Sequence, residues 1–130
     1  HDPILSYAED PARFTLRADQ SDRLPYMAPG LVPPENRLRG KMPTDTWWHT
    51  IVSPTGKEKT GYPTQKPIAI LERIVKVHSH ADDRLLDFFA GSGSFGDAAD
   101  RHGRDVTLID SSVAAVRVMK KRFGKRAAYY

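Results

Sequence analysis

Leu85-Leu86-Asp87-Phe88-Phe89-Ala90-Gly91-Ser92-Gly93-Ser94 is the stretch that decides the fold. A short apolar run ends in an acid and breaks into small residues. This is how a buried strand hands over to a tight turn at which a ligand can meet backbone. The spacing on either side extends the pattern. Upstream, Pro67 opens a predicted helix that ends near Ser79, and proline is well placed at a first helical position because its missing N–H would be unpaired there anyway. Ile68, Leu71 and Val75 share one face, with Ile70 and Ile74 beside them, and Glu72 and Lys76 sit at the favourable i,i+4 spacing. Residues 84–88 read as a strand, 90–94 as the turn, and 94–102 as a helix stopped by Gly103. Residues 106–109 form the next strand. Ser111 or Ser112 caps a last helix that runs to about Phe123, with Gly124 as its stop. Strand, helix and strand in so short a span make a βαβ unit, which implies parallel pairing and a right-handed crossover.

The first half reads differently. All ten prolines fall between Pro3 and Pro67. Ile4-Leu5-Ser6-Tyr7 is a candidate strand. Residues 8–46 show little periodicity, and a long irregular stretch of this kind is usually functional or disordered. Trp47-Trp48-His49-Thr50-Ile51-Val52, rich in aromatic and β-branched residues, is a second candidate strand. Residues 53–63 form a polar loop. The chain is thus expected to divide into an irregular, Pro-rich region with short strands over residues 1–62 and an α/β half-domain over 63–130.

Composition sets outer bounds. The chain has 130 residues, enough for one ordinary domain. No apolar run approaches the roughly 18 residues of a membrane span. Without cysteine there can be no disulfide and no thiolate zinc site, which fits a reducing, cytoplasmic setting. The net charge of +4 argues first for solubility and is compatible with a nucleic-acid partner. The first residue is His1 and no secretory signal is visible, so the chain is expected to be a fragment.

The turn Gly91-Ser92-Gly93-Ser94-Phe95-Gly96 formally matches G-x-G-x-x-G, and Asp110 follows Gly91 by 19 residues. Glycines let a ligand approach the backbone, and a carboxylate at the next strand end can accept hydrogen bonds from a ribose diol. A dinucleotide would place its diphosphate over the helix N-terminus. Asp87, four residues before Gly91, would repel a diphosphate but attract the cationic methionine end of S-adenosylmethionine. A P-loop fails, because no Gly-Lys-Ser/Thr follows the turn.

Thr64-Gln65-Lys66-Pro67, Leu71-Glu72-Arg73-Ile74 and Asp87-Phe88-Phe89-Ala90-Gly91-Ser92-Gly93-Ser94, in that order, resemble the β-class amino-methyltransferases of DNA. The resemblance covers roughly residues 47–123, and more loosely 1–8. It implies a partial Rossmann-like fold of S-adenosylmethionine-dependent methyltransferases with a parallel βαβ core. It further implies methyl transfer from S-adenosyl-L-methionine to the exocyclic amino group of a base in double-stranded DNA, with adenine N6 favoured over cytosine N4. Asp87 would face the amino or sulfonium end. Phe89, Ala90, Gly91, Ser92, Gly93 and Ser94 would line the methionine and ribose portions, and Asp110 would bind the ribose hydroxyls. Thr64, Gln65 and Lys66 would help hold the methionine end, with Pro67 starting the helix behind them. Phe88 stands where the family usually has proline, and Ser94 where it has threonine. The family's catalytic Asp/Asn/Ser-Pro-Pro-aromatic motif is absent, since Pro33-Pro34 is flanked by Val32 and Glu35. The chain therefore looks like the C-terminal, cofactor-binding part of such an enzyme, with no catalytic residue of its own assigned.

Residues 8–46 correspond to the stretch where such enzymes place target recognition. Arg37, Arg39 and Lys41 cluster there, Lys57 and Lys59 lie in the next loop, and all five are candidate DNA-phosphate contacts. The cations around residues 117–126 read instead as complements to a helix dipole. Trp47-Trp48 reads as a core or interface strand. The histidines show no metal-ligand grouping, and no metal is assigned. The alternative reading is a non-catalytic interaction module, pairing with the missing N-terminal half or with a second copy through an unpaired sheet edge. An RNA or small-molecule methyltransferase is disfavoured by the Thr-Gln-Lys-Pro resemblance.

Overall fold

The computed structural model describes residues 3–130, and its regular part follows the second half of the sequence. In the first half, α1 spans Pro34–Arg39. Three single 3-10 turns and an isolated antiparallel bridge between Leu24 and Lys41 are the other regular features of this half, and most of its described residues are irregular. Helix α2 (Ile68–His78), strand β1 (Arg84–Asp87), helix α3 (Ser94–Arg101), strand β2 (Asp105–Leu108) and helix α4 (Val113–Phe123) then succeed one another. β1 and β2 pair in parallel, with Arg84 opposite Asp105 and Asp87 opposite Leu108. The α/β architecture with a parallel βαβ core is the one the sequence predicts.

Local chemistry explains the boundaries. Pro67 is the N-cap of α2, one position outside the helix it was expected to begin. At the other end Ser79 Oγ donates to the Val75 carbonyl at 2.6 Å. Arg104 Nη2 donates to the Ser79 carbonyl at 2.7 Å and Arg17 Nη1 at 3.3 Å. Two guanidinium groups thus meet the partial negative charge of the helix end. Ser112 caps α4 by accepting from Ala115 N at 3.5 Å, and Gly124 ends that helix.

α3 packs against α2, and its Ala98 and Ala99 are fully buried. On the other side Ala90, Ala115, Met119 and Phe123 form the core cluster, joined by Tyr62, Leu108 and Val116. The Glu72–Lys76 pair does not form. Glu72 accepts from Arg101 at 3.3 Å, while Lys76 pairs with Asp22, so both charges tie α2 to other segments. Arg122 and Arg126 of the basic C-terminal region pair with Asp97 and Asp100 of α3, and Lys120 lies over the Tyr129 ring.

Two expected strands are absent. Residues 4–7 and 47–52 have no hydrogen-bonded strand partner among the described residues, and a strand exists only with its ladder. Trp47 instead lies under the Arg73 guanidinium, 4.8 Å from its ring centroid. Its neighbour Trp48 is 89% exposed, so the two tryptophans part company. Conversely, α1 forms where little periodicity was visible. Pro34 at its first position and Gly40 after its last residue are the usual punctuation of a helix, here one of six residues.

Among the described residues β1 pairs with β2 alone, so its second edge is open. Leu86 and Phe88 are exposed beside it, and Ile109 is exposed just beyond β2.

Candidate functional site

The C-terminal ends of adjacent parallel strands are where open α/β sheets receive ligands. Here those ends carry Asp87 and, two residues beyond β2, Asp110. The sheet pattern continues past both strands: Ile109 N donates to the Asp87 carbonyl at 2.8 Å, and Ala90 N to the Ile109 carbonyl at 3.0 Å. These bonds hold the start of the turn in register with the end of β2.

The turn itself is tied by side chains. Asp87 Oδ1 accepts from Phe89 N at 2.9 Å, so the carboxylate folds back over its own turn. Phe89 is left 90% exposed at the apex. Asp110 uses both oxygens: Oδ2 accepts from Gly91 N at 2.7 Å and Oδ1 from Ser112 N at 2.8 Å. One carboxylate therefore joins the loop after β1 to the loop after β2. A carboxylate has about four acceptor positions, so two remain for a ligand. Ser92 and Ser94 are buried and share a hydrogen bond of 2.9 Å between their hydroxyls.

The glycines have packing duties of their own. A Cβ on Gly91 would lie 3.2 Å from Tyr62 Cε1. Gly93 sits in the left-handed region (φ 72°, ψ 20°), and a Cβ there would be 2.9 Å from Phe123 Cε2. On Gly96 a Cβ would meet Leu108 Cδ1 at 2.6 Å. The small residues let α3 sit close to β2 and α4.

Thr64, Gln65, Lys66 and Pro67 precede α2, with Thr64 and Lys66 exposed. The Gln65 side chain is turned back into its own loop. Its Oε1 accepts from Thr60 N at 2.8 Å and from Thr60 Oγ1 at 2.7 Å, and its Nε2 donates to the Glu58 carbonyl at 2.7 Å. Tyr62, which sequence reasoning missed, touches both this loop and the glycine turn. Its only signal in the sequence is an aromatic residue two positions before Thr64.

The five candidate phosphate contacts lie in separate segments. Arg37 and Arg39 stand exposed on α1, Lys41 follows it in the Leu24 bridge, and Lys57 and Lys59 are exposed in the later loop. Among the described residues none of these five side chains makes a hydrogen bond or ion pair. Also among the described residues, no group of three or more His, Asp or Glu is placed to hold a metal ion, and no helix is long and apolar enough to cross a membrane.

Beside α2, burial first, and then the neighbouring Arg73 guanidinium, push the His49 imidazole below its ordinary pKa, partly offset by Asp22. Arg73 is only 7% exposed. The folded state then resists a proton that the unfolded chain accepts. Stability should be full above the unfolded value of about 6.5 and fall as pH drops below it. Denaturant titrations above and below that value should show a smaller acid loss in His49→Gln than in the parent chain. Equal losses would mean that His49 does not carry the effect.

A glycine turn between a parallel strand and a helix, with a carboxylate at each of two adjacent strand ends, is the arrangement at which open α/β scaffolds receive nucleotide-type ligands. The chain belongs to the N6/N4 DNA methylase family, whose model matches residues 1–121. It is 40% identical over 90 residues to the type II methyltransferase M2.LlaDCHI of Lactococcus lactis subsp. cremoris, covering 69% of this chain and 34% of that protein. It is 32% identical over 122 residues to the type II methyltransferase M.HpaI of Haemophilus parainfluenzae, covering 94% of this chain and 38% of that protein. Among solved structures, the M1.HpyAVI–SAM complex superposes with a TM-score of 0.52 at 40% identity, over 55% of this chain and 35% of that one. The chain thus spans little more than a third of the length of the curated relatives it matches.

Proposed function

We propose that this chain is the S-adenosylmethionine-binding part of an enzyme that methylates the exocyclic amino group of a DNA base, adenine N6 in preference to cytosine N4. The observation that carries the reading is the Asp110 carboxylate, bonded to Gly91 N and Ser112 N at the ends of two parallel strands, in a chain of the DNA methylase family. The residues present suit the cofactor. Asp110 keeps acceptor capacity for a ribose diol. Asp87 is an acid where a cationic ligand end would lie. Phe89, Ala90, Gly91, Ser92, Gly93 and Ser94 form the wall between them, and exposed Phe89 and Ile109 offer apolar surface to an adenine ring.

When bound, S-adenosylmethionine supplies an electrophilic methyl group on a sulfonium. What the chain contributes is binding and orientation, since methyl transfer depends chiefly on in-line proximity. Thr64 and Lys66 are assigned to the methionine end, with Gln65 and Pro67 shaping the backbone that presents them. A base reaches such a site only by leaving the duplex stack. The side chains that would receive it, those of the Pro-Pro motif, are not in this sequence. Further strands of a longer methylase polypeptide would fit the open edge of β1, with a second copy of this chain as the other candidate partner. Arg37, Arg39, Lys41, Lys57 and Lys59 are assigned to phosphate contact, and a cytoplasmic location follows from DNA as substrate.

Calorimetric titration of the 130-residue chain with S-adenosylmethionine and, separately, with NAD tests the reading. Saturable binding of the first and none of the second is expected. Binding of NAD with no response to S-adenosylmethionine would overturn it.

A further inference from the structure

We propose that Tyr62, held in place by Gln65, is a positioning residue for the glycine turn. The inference rests on the cofactor reading of that turn and assigns the Gln65 side chain a different task from direct contact with the ligand. The hydrogen bonds of the Gln65 amide all lie within residues 58–65, to Thr60 and Glu58 as described above. Two more bonds tighten the same knot: Tyr62 N donates to Thr60 Oγ1 at 3.3 Å, and Gln65 N to the Tyr62 carbonyl at 3.3 Å. Glu58 Oε2 also accepts from Ile68 N at 3.4 Å, which anchors the knot to the first turn of α2.

The product of this network is the placement of one ring. Tyr62 is half-buried against the Ala90–Ala115–Met119–Phe123 cluster, and its edge fills the space where a Gly91 side chain would stand. Gly91 is therefore gripped from two directions. Its N–H is held by Asp110, and its Cα face is covered by Tyr62. A ligand-binding turn with one face open to solvent would fray on its own, because local opening is cheap where few buried contacts oppose it. Tyr62 supplies those contacts from the core cluster on which it packs.

Amide hydrogen exchange of the full 130-residue chain reads this directly. In Tyr62→Ala, the Gly91 and Gly93 amides should exchange about tenfold faster, while amides in the middle of α2 and α4 keep their protection. Tyr62→Phe should restore the parent pattern, since the ring and not the hydroxyl makes the contact. Gln65→Glu replaces the Nε2 donor with an oxygen facing the Glu58 carbonyl, and should reproduce the Tyr62→Ala pattern with the ring still present. It serves as the second test if the alanine variant fails to fold. Unchanged exchange at Gly91 and Gly93 in both variants, or a uniform rise along the chain, would overturn the proposal. S-adenosylhomocysteine titration separates the two claims. Loss of affinity in Tyr62→Ala, measured well below that variant's own thermal midpoint, is expected, and parent-like affinity would sink the positioning role. No binding by the parent chain, with the exchange pattern as stated, would remove the cofactor reading and leave the clamp.

Discussion

Gly93→Ala should lower the stability of the folded chain by about 3 kcal/mol. Two costs add there. The left-handed conformation at φ 72° costs an L-residue roughly 1–2 kcal/mol. The new methyl would also stand 2.9 Å from Phe123 Cε2 and 3.0 Å from Met119 Cγ. Both neighbours are buried in the core cluster, so they yield only by shifting other side chains, at about 1–3 kcal/mol. Gly103→Ala is the control. Its φ of 69° carries the first cost, but no atom lies within 4 Å of its Cβ, so about 1 kcal/mol is expected. Urea denaturation of the two variants, at unchanged m-value, gives the comparison. Equal losses would show that the core does not press on Gly93.

That contrast marks where the sequence was informative. The 68–123 region was legible because each signal there is local: apolar spacing for α2 and α4, Ser112 as cap, and Gly103 and Gly124 as stops. β1 and β2 were legible for a related reason, since a βαβ crossover makes consecutive strands find each other. Residues 47–52 have equally good strand composition, but composition does not provide a neighbour, and Trp47 went to Arg73 instead. In the site, residue types were legible and their duties were not. The glycines looked like openings for a ligand, yet Gly93 and Gly96 face Phe123 and Leu108. Gln65 looked like a ligand contact, yet its amide is spent on Thr60 and Glu58. Gly93 meets Phe123 across 30 residues, a tertiary fact that no spacing rule reports, and Gln65 closes on partners five and seven residues back only because its loop folds into a knot that periodicity does not encode.

Asp110→Asn should damage both stability and cofactor affinity, and the two losses have separate causes. The carboxylate accepts from two backbone donors, one on each oxygen. An amide offers one oxygen and one NH2, so either Gly91 N or Ser112 N must face another donor. Leaving a partly buried N–H unpaired costs about 1–3 kcal/mol, and that loss should appear in denaturation without any ligand. Affinity should fall further. Hydrogen bonds from a ribose diol to a charged acceptor contribute about 1.5–3 kcal/mol, so S-adenosylhomocysteine should bind roughly ten- to a hundredfold more weakly. Asp110→Glu tests the geometry by keeping the charge. Its longer side chain cannot hold both amides at the present distances, so it should rank between the parent and Asn in affinity while losing comparable stability. Titration and denaturation on the same three proteins distinguish the roles. If Asn binds the ligand as the parent does while stability falls, the carboxylate serves only to join the two loops, and the ribose must be held by other groups.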